Sequence, residues 1–202
     1  MKLYYAKGAC SLAVRIAVHE LHLPCEFEAV NLKTKLTDRG LDFTKINPKG
    51  AVPTLMLDNQ EVLTENTVIQ QYLADSNKGN QLLPAIGDFK RYRVLEWLNF
   101  VSTELYKSFP PLFNSQVPED VKEQVFRPAL KNKLSFVNDH LNKNKFLAGN
   151  DFTLADSYLY VILRGLPHLK INIDEMTALT HYFKELSQRP SIQQSLQEEG
   201  LV

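Results

Sequence analysis

The chain has 202 residues, of which 44% are hydrophobic, and its 23 basic and 23 acidic side chains leave no formal net charge. This composition is typical of a globular protein with its own core, and it argues against nucleic acid or an anionic membrane surface as the main partner, because both select a basic surplus. No apolar run approaches the ~20 residues of a membrane span, and two cysteines do not make a disulfide framework, so the sequence predicts a cytoplasmic protein.

The first 77 residues predict a compact α/β layer. Its predicted elements are a strand at 2–5, a helix at 11–23, a strand at 27–32, a helix at 33–45, a hairpin within 54–63 and a helix at 66–73. The helix at 33–45 is polar and is expected to be anchored by Leu36 and Phe43, and the last helix by Val68, Ile69, Tyr72 and Leu73. The order β-α-β-α-β-β-α begins with a βαβ unit.

The hairpin organises this layer. Two short apolar runs flank a polar turn, a pattern that predicts paired antiparallel strands. Pro53 supplies no N–H and should begin a strand, while Val52 is held extended with its N–H and C=O directed outside the sheet. At the far end, residues 64–66 open a helix whose N–H groups favour an anion. The hairpin therefore predicts a site for a peptide-like ligand that carries its own amino and carboxyl groups.

A domain boundary is predicted where the sequence turns polar. Residues 78–86 are interpreted as a linker between a domain at 1–77 and an all-α domain at 87–202. In the second domain, apolar residues step by threes and fours from Phe89 to Phe109, where Pro110-Pro111 is expected to end the helix.

Three further helical patterns follow. Pro128 predicts a kink or a break in the second long helix. The segment Thr153-Leu154-Ala155-Asp156 is a capping-box pattern ahead of an apolar run. Two shorter helices, at 175–187 and 190–198, are expected to complete the all-α domain.

Cys10 is the sharpest candidate for chemistry. It lies at a strand–turn–helix transition, where unpaired N–H groups and the helix dipole lower a thiol pKa from about 8.5 to roughly 3.5–7.5. A thiolate there can attack a disulfide or hold a second thiol as a mixed disulfide. The alternative is that Cys10 packs as a small hydrophobe. Cys25 lacks such a setting and is interpreted as structural.

Other candidate sites are weak. His19 and His22 have a spacing that suits a metal but no third ligand nearby, so no metal site is predicted. Glu198 and Glu199 are interpreted as a solvated tail. The sequence contains no Gly-rich phosphate loop, paired-Cys zinc pattern or nucleophile-elbow serine.

Seven segments, taken in order, point to one family. They are Gly8-Ala9-Cys10-Ser11-Leu12-Ala13, Asn47-Pro48-Lys49-Gly50, Val52-Pro53, Thr64-Glu65-Asn66, Glu96-Trp97-Leu98-Asn99, Thr153-Leu154-Ala155-Asp156 and Glu199-Gly200-Leu201. Single motifs such as Val-Pro are weak, but their joint order and spacing are highly specific. The chain resembles, over essentially its whole length, the bacterial beta class of the glutathione transferases.

The resemblance implies a thioredoxin-like N-terminal domain that binds glutathione, an all-α C-terminal domain that lines the electrophile site, and a homodimer. It also implies a detoxifying transferase that conjugates glutathione, as co-substrate, to small hydrophobic electrophiles without a further cofactor or metal. The implied partners are thus glutathione and the electrophile, with no nucleic acid and no membrane.

The resemblance also implies a role for each site residue. Cys10 would lie beside the glutathione sulfur. Val52 would pair with the cysteinyl backbone of glutathione, next to a cis Pro53. The remaining site residues would bind the two ends of the tripeptide or approach it from the helical domain. The γ-glutamyl group would meet Glu65 and Asn66, the glycyl end Lys35, and the helical domain would supply Asn99 (from the partner subunit), Thr103, Glu104 and Tyr106.

Two positions depart from the family pattern. Tyr106 stands where members often carry a His credited with helping catalysis, and a tyrosine donates a hydrogen bond but does not titrate near pH 7. Asn66 replaces the usual Ser or Gly, and because Asn is a good N-cap, binding is expected to survive. Three functions stay open: conjugation, thiol–disulfide exchange through Cys10, and a non-catalytic ligand- or protein-binding protein of the same fold.

Overall fold

The computed structural model describes residues 1–77 and 80–202. Its strands are β1 (Lys2–Tyr5), β2 (Glu26–Asn31), β3 (Leu36–Thr37), β4 (Thr54–Met56) and β5 (Val62–Thr64). Its α-helices are α1 (Ser11–Glu20), α2 (Asn66–Ser76), α3 (Phe89–Phe100), α4 (Phe109–Phe113), α5 (Glu119–Val121), α6 (Arg127–Leu141), α7 (Leu154–Gly165), α8 (Thr177–Ser187) and α9 (Pro190–Glu198).

The chain forms two compact units. The first unit contains Met1–Leu83 and Arg189–Val202, and the second contains Pro84–Gln188. The predicted assignment of the last helix to the all-α domain is therefore wrong, because α9 packs against α1 of the first unit. The predicted linker at 78–86 begins with Lys78 and Gly79, which lie outside the described residues.

The first unit is built on a five-stranded sheet in the order β3-β2-β1-β4-β5. Strand β1 runs parallel to β2 and antiparallel to β4, and it pairs Leu3 with Phe27 on one side and with Leu55 on the other. Leu3 and Leu55 are fully buried, which places the core of the unit at the central strands. The parallel β1-α1-β2 start is the βαβ unit that the sequence predicts.

The hairpin is confirmed. Strands β4 and β5 pair antiparallel with Thr54 opposite Thr64 and Met56 opposite Val62. Of the residues predicted to anchor α2, Ile69 and Leu73 are buried, whereas Val68 and Tyr72 are 43% and 39% exposed and were assigned to the wrong face.

The predicted helix at 33–45 is wrong. The Asn31 side-chain oxygen accepts from the N–H groups of Lys33 and Thr34, and Lys35 takes a left-handed φ of 60°, so the chain turns back into the short strand β3. A 3₁₀ turn follows at Phe43–Lys45. Phe43 is a core residue as expected, but Leu36 is 44% exposed.

An ion pair fastens α1 to α9. The Arg189 guanidinium donates to both carboxylate oxygens of Glu20 at 2.5 and 2.7 Å, and the Ser191 hydroxyl donates to the same carboxylate. Burial opposes ionisation of Glu20, but Arg189 and Ser191 outweigh it, and the pKa of Glu20 lies below its ordinary value.

The Arg189–Glu20 ion pair makes the free energy of unfolding depend on pH in the acid range. Since the pKa of Glu20 is lower in the folded chain, its contribution is present above the unfolded value of about 4.5 and is lost as the pH falls through the folded value. Glu20→Gln is expected to lower the free energy of unfolding by about 1–2 kcal/mol at pH 7. Urea unfolding at pH 7 and at successively lower pH measures the difference in the free energy of unfolding between wild type and variant. If this difference stayed constant below pH 4, the ionised Glu20 carboxylate would not be its source.

The second unit is helical, as predicted, but its first long helix is not regular. After α3 the chain makes a π-helical turn at Val101–Leu105 and a 3₁₀ turn at Tyr106–Ser108. The predicted stop at Pro110-Pro111 is wrong, because both prolines lie in the first turn of α4, where a missing N–H costs nothing.

The other helical signals of this unit are confirmed. A second π-helical turn at Lys122–Phe126 separates α5 from α6, and Pro128 lies in the first turn of α6, which is the predicted break. The capping box of Thr153 and Asp156 opens α7. Across residues 1–77 and 80–202, no helix is both long and apolar enough to cross a bilayer.

Candidate active site

Cys10 lies against the backbone that precedes the hairpin. It is the N-cap of α1, and its Sγ is 3.4 Å from the carbonyl oxygen of Val52. The Val52-Pro53 peptide bond is cis, as the resemblance implied. The loop that carries Val52 is fixed by Asn47, whose buried amide donates to the Ala51 carbonyl and to the Thr54 hydroxyl, both at 2.9 Å. The thiol and the extended backbone edge, predicted separately, therefore meet at one place.

The Asn66 side chain points inward rather than away from the unit. Its amide nitrogen donates to the Cys10 carbonyl oxygen at 2.6 Å, and its oxygen accepts from Gln70 at 2.6 Å. Asn66 is 8% exposed. It therefore ties the start of α2 to the start of α1, and its amide is already engaged within the protein.

Glu65 is held outward at the end of β5. Its φ of 72° lies in the left-handed region, which non-glycine residues rarely adopt, and its side chain is 65% exposed. The Lys49 ammonium donates to the Glu65 carboxylate at 2.6 Å and to the Thr64 hydroxyl at 2.8 Å. This contact to Lys49 was not predicted.

Lys35, which precedes β3, lies against the loop that contains Gly50. Its ammonium donates to the carbonyl oxygen of Gly50 at 2.8 Å. Gly50 has a φ of 58°, and a Cβ added there would approach the Lys35 side chain to 3.3 Å. The turn at Gly50 thus leaves room for Lys35 beside the loop that carries Val52.

The four candidate residues of the second unit lie in or directly beside the π-helical turn. Asn99 and Thr103 are exposed, and the Thr103 hydroxyl donates to the Asn99 carbonyl at 2.9 Å. Glu104 forms an ion pair with Lys133 at 2.9 Å. The Tyr106 ring packs against Phe109 and Tyr158 at centroid distances of 6.2 and 6.0 Å. Turns of this kind are frequent at functional sites.

Comparison with known proteins identifies the family. The model of the glutathione S-transferase N-terminal domain matches residues 8–76, and that of the C-terminal domain matches residues 92–190. The glutathione S-transferase GstA of Escherichia coli O157:H7 is 41% identical over 201 residues, with all of both chains covered. The chain belongs to the glutathione S-transferase family.

Solved structures agree with this assignment. A sphingomonad glutathione S-transferase complexed with glutathione is 40% identical with a TM-score of 0.95, and a bacterial beta-class enzyme from Sphingomonas chungbukensis is 38% identical with the same TM-score. Both matches cover all of each chain. The predicted glutathione transferase fold and the beta-class resemblance are confirmed.

One structural feature of this transferase escaped the sequence reasoning. Glu199, interpreted as solvated tail, is 4% exposed and accepts from the Gly8 N–H at 2.8 Å. Arg15 is 2% exposed, pairs with Glu198 at 2.8 Å and Glu199 at 3.2 Å, and lies over the Tyr5 and Phe27 rings. The end of the transferase chain therefore fixes the turn that leads into Cys10.

The second cysteine of the transferase differs from Cys10 in its surroundings. Burial raises the pKa of Cys25 to about 11. Its Sγ donates to the carbonyl oxygen of Glu26 at 3.3 Å. Cys25 is thus a protonated thiol at neutral pH, which agrees with a structural interpretation.

Proposed function

We propose that this protein is a glutathione transferase that joins the sulfur of glutathione to small hydrophobic electrophiles and thereby detoxifies them. The observation that carries the proposal is the 3.4 Å separation of Cys10 Sγ and the Val52 carbonyl. A cysteinyl backbone that pairs with the extended edge at Val52 brings its own sulfur to the start of α1. There the N–H groups and the helix dipole favour a thiolate.

The charges around the hairpin suit a tripeptide with an ammonium at one end and carboxylates at both. Glu65 is the acceptor for the γ-glutamyl ammonium, and the N–H groups at the start of α2 favour the adjacent carboxylate. Lys35 provides a cation for the glycyl carboxylate. Asn66 acts by positioning, because its amide holds the Cys10 carbonyl and does not project outward.

In the second unit we assign further contacts to glutathione, and a catalytic hydrogen bond, to four residues in and beside the π-helical turn. Tyr106 is the donor in this proposal, and Asn99 (from a second subunit), Thr103 and Glu104 contact glutathione. This assignment rests on the family resemblance and on the frequency of π-helical turns at functional sites.

We also propose a homodimer in the cytoplasm. The dimer is supported by an apolar groove of about 560 Å³ on α3 and α6, where Phe136 is 55% exposed and stacks on Trp97 at 5.7 Å. The location is supported by the cysteine content, since two cysteines in 202 residues do not make the disulfide framework of an oxidising compartment. A mass of 23.1 kDa, that of one chain, by sedimentation at all micromolar concentrations would overturn the dimer.

Glu65→Gln tests the proposed function. Loss of the charge that meets the γ-glutamyl ammonium is expected to weaken glutathione binding by about 10- to 100-fold, the effect of one charge-assisted hydrogen bond. Isothermal titration calorimetry measures the affinity, and conjugation to an activated aryl halide measures turnover.

Glu61→Gln is the matched control. Glu61 is exposed on the turn of the same hairpin, and its substitution removes the same negative charge. Its affinity should stay within about twofold of wild type, as expected for an exposed side chain without a ligand contact. Wild-type protein that neither binds glutathione nor conjugates it would overturn the proposal.

A further inference from the structure

The carboxylate proposed to bind the ligand is already occupied. Lys49 contacts Glu65 at 2.6 Å and Thr64 at 2.8 Å, while its own side chain is 56% and that of Glu65 65% exposed. Exposed ion pairs contribute little to stability because solvent screens them and both side chains lose freedom. The pair therefore opens readily when a ligand with stronger complementarity arrives.

The side chain at position 66, next to Glu65, is engaged inside the protein. The Asn66 amide is bound to the Cys10 carbonyl and to Gln70, and the residue is 8% exposed. With its amide nitrogen bound to the Cys10 carbonyl and only 8% of the residue exposed, Asn66 is a weaker partner than an exposed cation for a carboxylate next to Glu65. The ammonium that does lie next to Glu65 is that of Lys49.

We propose that Lys49 is a specificity-determining residue, which holds Glu65 in the ligand-free protein and moves to the α-carboxylate of the γ-glutamyl group when the α-ammonium of that group binds Glu65. The inference rests on the proposed function and adds to it a residue that recognises one end of the ligand.

The exchange is favourable because it keeps every charge paired. An α-amino acid end carries an ammonium and a carboxylate on one carbon, so it replaces one Lys49–Glu65 pair with two pairs of opposite charge. A ligand without the carboxylate displaces Lys49 from Glu65 but offers the Lys49 ammonium no new anionic partner. A ligand without the ammonium takes Lys49 but leaves Glu65 without its partner. Lys49 therefore selects ligands that carry both groups.

Lys49→Met, compared on two ligands, tests this role. The probes are glutathione and 4-aminobutyryl-cysteinylglycine, which lacks only the α-carboxylate, and calorimetry gives both affinities. The variant is expected to bind glutathione about tenfold more weakly than wild type, the effect of one charged contact. It should bind the analogue as well as wild type or better, since Glu65 no longer has an internal competitor.

Two variants serve as controls. Lys45→Met removes an exposed positive charge from the same unit and should leave both affinities unchanged. Lys49→Arg keeps the charge and should retain preference for glutathione over the analogue. Equal losses on both ligands, or no loss on either, in Lys49→Met would overturn the role of Lys49 while glutathione binding by wild type still supports the proposed function. Wild-type protein that binds neither ligand would overturn both.

Discussion

Replacing Cys10 with alanine is expected to abolish the mixed disulfide between the protein and glutathione, while conjugation to an electrophile continues. In the exchange reaction, the Cys10 thiolate attacks one sulfur of glutathione disulfide, forms the protein–glutathione S–S bond and releases a glutathione thiolate. Alanine has no sulfur to do this. Conjugation uses the sulfur of the bound tripeptide and not that of Cys10, and its proposed contacts at Val52, Glu65 and Tyr106 are untouched by the change.

Intact-mass measurement after incubation with glutathione disulfide detects the adduct, and separate assays follow disulfide reduction and conjugation to an activated aryl halide. Cys25→Ala is the control, because burial raises the pKa of Cys25 to about 11 and leaves little thiolate to react. An adduct that persists without Cys10, or disappears without Cys25, would contradict the assignment. Loss of conjugation along with the adduct would show that one sulfur position serves both reactions.

The parts of the site that could be predicted from the sequence are those set by local chemistry. Pro53 begins the hairpin because it lacks an N–H, and the cis bond before it follows from the resemblance. The helices of the second unit follow from their 3.6-residue period, and α7 from its capping box. These signals act over a few residues and so can be read without the fold.

The segment at 33–45 shows why a neighbouring element was missed. Its apolar spacing is as compatible with a turn as with a helix, and the deciding contacts come from one side chain. Asn31 accepts from two backbone N–H groups and so competes with helix formation. Lys35 then adopts a left-handed conformation that no motif for lysine predicts.

Contacts between distant positions were also out of reach. Gly8 and Glu199 are 191 residues apart and Arg15 and Glu198 are 183 residues apart, yet they meet beside the turn before Cys10. A pair of glutamates near a terminus is typically solvated, and only the packing of α9 on α1 buries them. In the same way, Asn66 fits an N-cap, but its amide is drawn inward by the Cys10 carbonyl, 56 residues away.

Asp156→Ala is expected to have the largest effect on stability. Asp156 is fully buried and accepts four hydrogen bonds: from the Leu147 N–H at 2.9 Å, from the Thr153 N–H and hydroxyl at 2.8 Å each, and from the Tyr182 hydroxyl at 2.6 Å. Alanine leaves these buried donors without their acceptor and removes the cap of α7. The free energy of unfolding should fall by about 3–5 kcal/mol.

Urea unfolding followed by the fluorescence of Trp97, the single tryptophan, reports directly on the second unit. Tyr182→Phe is the graded control, because it removes one of the four donors and keeps the ring, so it should cost about 1–2 kcal/mol. Asp174→Ala, at an exposed position of the same unit, should stay within about 0.5 kcal/mol of wild type. If Tyr182→Phe costs as much as Asp156→Ala, the stabilisation resides in the tyrosine contact alone and not in the shared acceptor. The Asp156 carboxylate joins the loop before α7, the start of α7 and Tyr182 of α8. Because it is the shared acceptor of all these contacts, Asp156→Ala should lower the free energy of unfolding more than Tyr182→Phe does.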